Sequence, residues 1–146
     1  MELESFFPYR LALLADAVSR SMAQVYAERF DLSRDEWRVL AALSQESPIR
    51  TAQVIERTTL DKVSVSRALQ RMQGKDLVER ETDAADARGH VIRLRPAGRA
   101  LFRRIVPMVQ AREQYLLDAL DPAERAALDG ALDKVLARAR QLALQG

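Results

Sequence analysis

The chain has 146 residues, 48% of them hydrophobic and 30% charged, which suits one compact domain or a small one with helical extensions. That balance excludes disorder through lack of apolar content, and no run approaches the roughly 18 apolar residues of a membrane span. The chain has no Cys and a single His, so disulfides, thiol redox switches, thiolate zinc sites, cysteine nucleophiles and His-built metal sites or triads are excluded together. A soluble cytoplasmic protein without cofactor or metal is expected. The net charge of +2 conceals an asymmetry: residues 50–104 hold 13 Lys/Arg against 7 Asp/Glu, a net of +6, and the remainder nets −4. A basic middle between acidic flanks suits a module that meets polyphosphate.

In chain order, Pro8 can open a helix, and Leu11, Leu14, Val18, Met22, Val25 and Tyr26 continue at spacings of three or four up to Phe30. Ser33 begins a second helix with Glu36 completing a capping box, its apolar face being Trp37, Leu40, Ala41 and Leu43. Ser47–Pro48 breaks that pattern. Thr51 is expected to cap a short helix carrying Val54 and Ile55, which Thr58–Thr59 interrupts.

Asp61 is a good N-cap for a helix running to about Lys75. Val65, Leu69 and Met72, with Ala68, form its buried stripe, and Lys62, Ser64, Ser66, Arg67, Gln70 and Arg71 populate the remaining surface. Val78–Thr82 and Val91–Arg95 have the β-branched content of two strands, and the loop between them reads as too long for a two-residue turn. A helix able to enter a major groove, followed by a basic hairpin, outlines a winged DNA-binding unit.

After Pro96 a helical pattern returns through Leu101, Ile105, Met108, Val109, Leu116 and Leu120, with a kink or local break expected at Pro107. Asp121–Pro122–Ala123–Glu124 is a strong start for a last helix, whose apolar stripe is Leu128, Leu132, Val135, Leu136, Ala139 and Leu142. The fold expected is mainly α with a small β-hairpin: a winged helix-turn-helix over 31–96, flanked by helical dimerisation regions over 1–30 and 97–146. The small module cannot bury the apolar faces of the flanking helices, so a second copy of the chain is expected to cover them.

The runs Asp61–Lys62–Val63–Ser64–Val65–Ser66–Arg67, Lys75–Asp76–Leu77–Val78–Glu79–Arg80 and Asp83…Asp86–Ala87–Arg88 resemble the multiple-antibiotic-resistance regulator (MarR) family. Its pattern reads roughly D-K-S-x-V-T-R, K-G-L-V-x-R, D-x-x-D-x-R and L-T-x-x-G. The likeness extends over Ser33–Leu43 and Pro96–Leu101 and so covers most of the chain. It implies a homodimeric winged helix-turn-helix regulator, usually a repressor, that binds a pseudo-palindromic duplex and releases it on binding a small phenolic or aromatic carboxylate ligand. Three departures stand out: Asp76 replaces a Gly, Arg95 replaces a Thr and adds a positive charge, and Thr58–Thr59 replace Leu–Gly. Asp tolerates a left-handed backbone, so the turn at Asp76 can survive.

Ser64, Ser66 and Arg67 lie in the first two turns of the expected recognition helix, where side chains reach base edges. Lys62 and Arg71 suit phosphate contacts or internal ion pairs. The resemblance assigns Arg88 to the minor groove at the wing tip and Asp86 to orienting the wing. It also implies an effector pocket between the dimerisation helices and the DNA-binding module. Trp37 could line that pocket, and Arg10 or Arg20 could pair with a carboxylate. Two other classes fare less well. A small helical enzyme lacks a nucleophile elbow, a phosphate loop and a metal-spaced set. A protein–protein adaptor or an RNA binder would use the winged module without duplex, but Phe102 is the lone aromatic of the basic segment and offers no stacking platform.

Overall fold

The computed structural model describes the backbone of residues 1–146 and every side chain except those of Asp86, Ala87 and Arg88. A short 3-10 turn at Leu3–Ser5 precedes α1 (Phe7–Phe30), α2 (Arg34–Gln45), β1 (Ile49–Arg50), α3 (Thr51–Thr58) and α4 (Lys62–Gly74). Then come β2 (Val78–Asp83), β3 (Asp86–Leu94), α5 (Pro96–Leu117) and α6 (Pro122–Gln145). The chain packs as two compact units, Met1–Val109 and Gln110–Gly146.

The first unit is built around the face that α4 turns inward. Val65, Ala68, Leu69 and Met72 recur at helical spacing and are fully buried, joined by Leu40 and Leu43 of α2, Val54 of α3, Ile92 of β3 and Ile105 of α5. The predicted capping box on α2 is present: the Glu36 amide donates to Ser33 Oγ (3.1 Å) and the Ser33 amide to Glu36 Oε1 (3.4 Å). At α3 the cap differs from expectation. Arg50, not Thr51, occupies the N-cap and makes no side-chain cap bond; its amide donates to Gln53 Oε1 (3.0 Å), while the amides that a Thr51 cap would have accepted from gain no side-chain cap. The α3–α4 turn passes through Thr59 at φ 59°, a left-handed conformation that is costly for a β-branched residue.

The hairpin is tighter and the sheet larger than the sequence suggests. Asp83 pairs with Asp86, leaving only Ala84 and Ala85 between β2 and β3, and the register slips between Thr82 and Asp83. The loop expected to be too long for a two-residue turn is therefore largely strand, because the register shift takes up chain that a regular hairpin would leave in the loop. β1 adds a third, antiparallel strand in the order β1-β3-β2, with Ile49 opposite Ile92 and Arg50 opposite Val91. Two residues give no readable alternation, so only the partner strand defines β1.

Asp76 takes φ 65°, as its place in a left-handed turn requires. From there the Arg95 amide donates to the Leu77 carbonyl (2.9 Å) and starts α5 against the sheet. Of the kink or local break expected at Pro107, the break does not occur: α5 is one continuous helix through that residue. Pro107 removes one backbone donor, but buried Ile105 and the packed Met108 and Val109 hold the turns on either side.

The second unit holds the end of α5 and the whole of α6. Asp121 caps α6 as predicted: the Glu124 amide donates to its Oδ1 (2.8 Å), and its own amide donates to Glu124 Oε1 (3.1 Å). Leu132, Val135, Leu136 and Leu142 of α6 are exposed. No helix of the described residues is long and apolar enough to cross a membrane.

Candidate nucleic-acid interface

An α-helix turns 100° per residue, so the buried Val65, Leu69 and Met72 fix which side of α4 faces out. The opposite side carries Val63, Ser66, Arg67 and Gln70, all exposed. Lys62, also exposed, flanks this stripe on one side, and Ser64 and Arg71 flank it on the other. Of the residues singled out in the sequence, Ser66 and Arg67 thus share the outward stripe. Val63 and Gln70 belong to it as well. The signal for Val63 was available, since an apolar residue two positions before Val65 falls about 200° away from the buried stripe.

Ser64 is drawn into the cap. Its amide donates to Asp61 Oδ1 (2.7 Å) and its hydroxyl to Asp61 Oδ2 (3.0 Å), so the hydroxyl proton is committed within the protein. The same two donors hold the Asp61 carboxyl below its ordinary range.

Arg71 and Lys75, at the C-terminal end of the helix, converge on one buried carboxylate. Arg71 Nε donates to Glu36 Oε1 (3.2 Å) and Lys75 Nζ to Glu36 Oε2 (2.9 Å), and Lys75 also donates to the Asp31 carbonyl. Burial alone would raise the Glu36 carboxyl, but the hydrogen bond and charge of Lys75 and the two bonds from Ser33 overcome it and hold the group below its ordinary value. This network ties the C-terminal end of α4 to the start of α2.

Next to the hairpin turn, Arg50 Nε lies 2.8 Å from Asp83 Oδ2 in an ion pair that lacks hydrogen-bond alignment. On β2 and β3, Arg93 pairs with Glu79 (3.2 Å) and Glu81 (3.6 Å). Arg95 lies 3.5 Å from both Asp76 and Glu79, so the positive charge expected from Arg95 is offset locally by two carboxylates. Asp86 and Arg88, the wing residues singled out in the sequence, have side chains outside the described residues.

Trp37 stacks between Tyr26 and Phe102 at centroid distances of 5.4 and 5.7 Å. It also borders a hollow of about 410 Å³ between α1 and α2, whose floor is Leu14, Val18, Met22 and Tyr26 and whose cation is Arg38. Arg10 and Arg20 do not line it: Arg10 is exposed, and Arg20 pairs with Asp16 (2.7 Å) one turn away on α1. Arg38 was not singled out in the sequence, although it directly follows Trp37 at the edge of the second helix's apolar face. A second hollow, about 800 Å³, opens between α2 and α3, with Arg38, Arg57 and Thr59 on its rim. No cluster of three or more potential metal ligands occurs among the described residues.

Residues 30–89 match the model of the MarR family. The HTH-type transcriptional repressor NicR of Pseudomonas putida is 25% identical over 126 residues, covering 85% of this chain and 80% of NicR. A MarR-family transcriptional regulator from Silicibacter pomeroyi superposes with a TM-score of 0.80 at 29% identity, covering 94% of this chain and 92% of that one. BpsR of Bordetella bronchiseptica, whose DNA binding is regulated by 6-hydroxynicotinic acid, superposes with a TM-score of 0.83 at 25% identity, covering 92% of this chain and 96% of BpsR. NicR and the Silicibacter pomeroyi protein are transcriptional regulators, not enzymes.

Proposed function

We propose that the chain is a MarR-family winged helix-turn-helix, DNA-binding transcriptional regulator, and that it acts as a homodimeric repressor released from its operator by a small aromatic acid. The observation that carries the reading is the outward stripe of α4, where Ser66, Arg67 and Gln70 stand exposed opposite a fully buried apolar face. Arg67 pairs with a guanine edge and Gln70 with adenine, while Ser66 serves either base. Lys62 and Arg71 flank the stripe and meet phosphates, with Arg71 also held by Glu36. Ser64 acts mainly by positioning the helix start, its remaining lone pairs facing a base amino group. Arg88 enters the adjacent minor groove and Asp86 orients it.

Residues 31–96 form the reading module, and helices within 1–30 and 97–146 form the dimer. The dimer is supported by apolar side chains left exposed in each region separately: Phe7, Leu13 and Leu14 on α1, and Leu132, Val135 and Leu136 on α6. The repressor role follows the description of NicR. The effector class follows BpsR and the hollow beside Trp37 and Arg38, where an indole face and a guanidinium suit an aromatic carboxylate.

Footprinting on genomic duplex fragments tests this reading. A pair of protected half-sites about one helical turn (~34 Å) apart is expected, with a sedimenting mass twice that of the chain. Protection lost equally to a single-stranded RNA competitor would favour the RNA-binding alternative. A monomer that binds no duplex would leave the adaptor reading.

A further inference from the structure

Val63 is an anomaly on the outward stripe. It is 58% exposed, whereas Val65, Leu69 and Met72 of the same helix are at 0%. Among the described residues, every other exposed large hydrophobic side chain lies at or before Leu14 or at or after Tyr115, so Val63 is the one that falls outside the segments assigned to the dimer. Helix propensity does not explain it, because a β-branched side chain is a weak helix former. Capping does not explain it either, since Asp61 and Ser64 complete the cap without it. The family pattern quoted above has Ser at this place, so the apolar group belongs to this chain and not to the general design of the helix.

We propose that Val63 is a specificity-determining residue that reads the 5-methyl group of a thymine in the major groove. This rests on the DNA-reading role of α4 and deepens it to one base. The thymine methyl is the apolar feature that a base pair presents on that edge, and an apolar side chain discriminates through it where a hydroxyl would not. Val63 occupies the first turn of α4, one turn ahead of Ser66 and Arg67, and the first turns of a recognition helix are those that approach base edges. Desolvating the valine methyls against the thymine methyl supplies the attraction. A cytosine at that position offers an amino group that Val63 cannot satisfy.

The test uses the full-length protein and a randomised duplex library. Wild type and Val63→Ser are each taken through selection. The duplex selected by wild type is then resynthesised with deoxyuridine replacing one thymidine at a time. One thymine per half-site should emerge whose demethylation weakens wild-type binding by about fourfold, the equivalent of one methyl group. Val63→Ser should bind the thymine and uracil duplexes within a factor of two of each other, and its own selection should lose preference at that base pair. Because the change of base needs no change of protein, loss of fold cannot mimic the result. Equal uracil penalties in wild type and Val63→Ser, or no penalty at any thymine, would overturn the assignment while leaving DNA binding intact. Failure of wild type to select any duplex would overturn both.

Discussion

The carboxylate of Glu36, only 2% exposed, receives the ammonium of Lys75 at 2.9 Å across 39 residues of chain. It fixes the exit of the recognition helix to the entry of α2, so the orientation of α4 depends on a buried charge being matched. Its pKa is lowered relative to the ordinary value of 4.5. A depressed folded pKa contributes stability that is complete above the unfolded value and is lost as pH falls through the folded one. Urea unfolding of wild type should therefore weaken below about pH 4.5, and Glu36→Gln should flatten that part of the acid limb while costing about 2 kcal/mol at pH 7. An unchanged acid limb in Glu36→Gln would remove Glu36 from this role.

Gly98 lies where α5 meets the sheet, and a Cβ there would overlap the Leu77 carbonyl and approach Leu94 Cδ1 to 2.7 Å. The Leu77 carbonyl already accepts the Arg95 amide, so it cannot easily retreat. Gly98→Ala should cost about 2 kcal/mol through overpacking, read as a drop in thermal midpoint. A neutral result would mean that the helix start can slide on the sheet.

Thr59 is the opposite case. At φ 59° a glycine would lose the steric penalty that a β-branched residue carries, at the expense of the 2.6 Å bond from Thr59 Oγ1 to the Thr58 carbonyl. Thr59→Gly should stabilise the protein by about 1 kcal/mol, measured by urea unfolding. Destabilisation would show that the hydroxyl bond outweighs the strain.

Arg67 and Arg71 of α4 and Arg88 of β3 should separate in their effects. Arg67→Ala is expected to weaken operator binding about tenfold and to relax preference at one base pair. Arg71→Ala should leave base preference alone, weaken binding uniformly across sequences and lower thermal stability, because its guanidinium meets phosphate and is also engaged with Glu36. Arg88→Ala should weaken binding and reduce the steepness of its salt dependence by about one unit per half-site. Gel shifts over a salt series, run beside thermal melts, would tell the three apart. Equal loss of base preference in Arg67→Ala and Arg71→Ala would contradict the assignment of faces.

Local chemistry alone determined most of the elements. Ser33 with Glu36, Asp61, and Asp121 with Glu124 mark helix starts because each side chain satisfies donors within its own first turn. Val65, Leu69 and Met72 recur at the helical period, which settles the inward face of α4 without reference to any other part of the chain. The basic middle and the wing pattern were equally legible, since charge and composition need no fold to be counted. The tertiary structure decided what depended on a distant partner. β1 is a strand only because β3 lies beside it. The hairpin's register set its loop length, and Arg71 met a carboxylate 35 residues away. Arg38, not Arg10 or Arg20, reached the hollow beside Trp37. Val63 became conspicuous only once its neighbours were seen to be buried and it was not. Periodicity reports a residue's own helix, but exposure depends on everything else that packs against it.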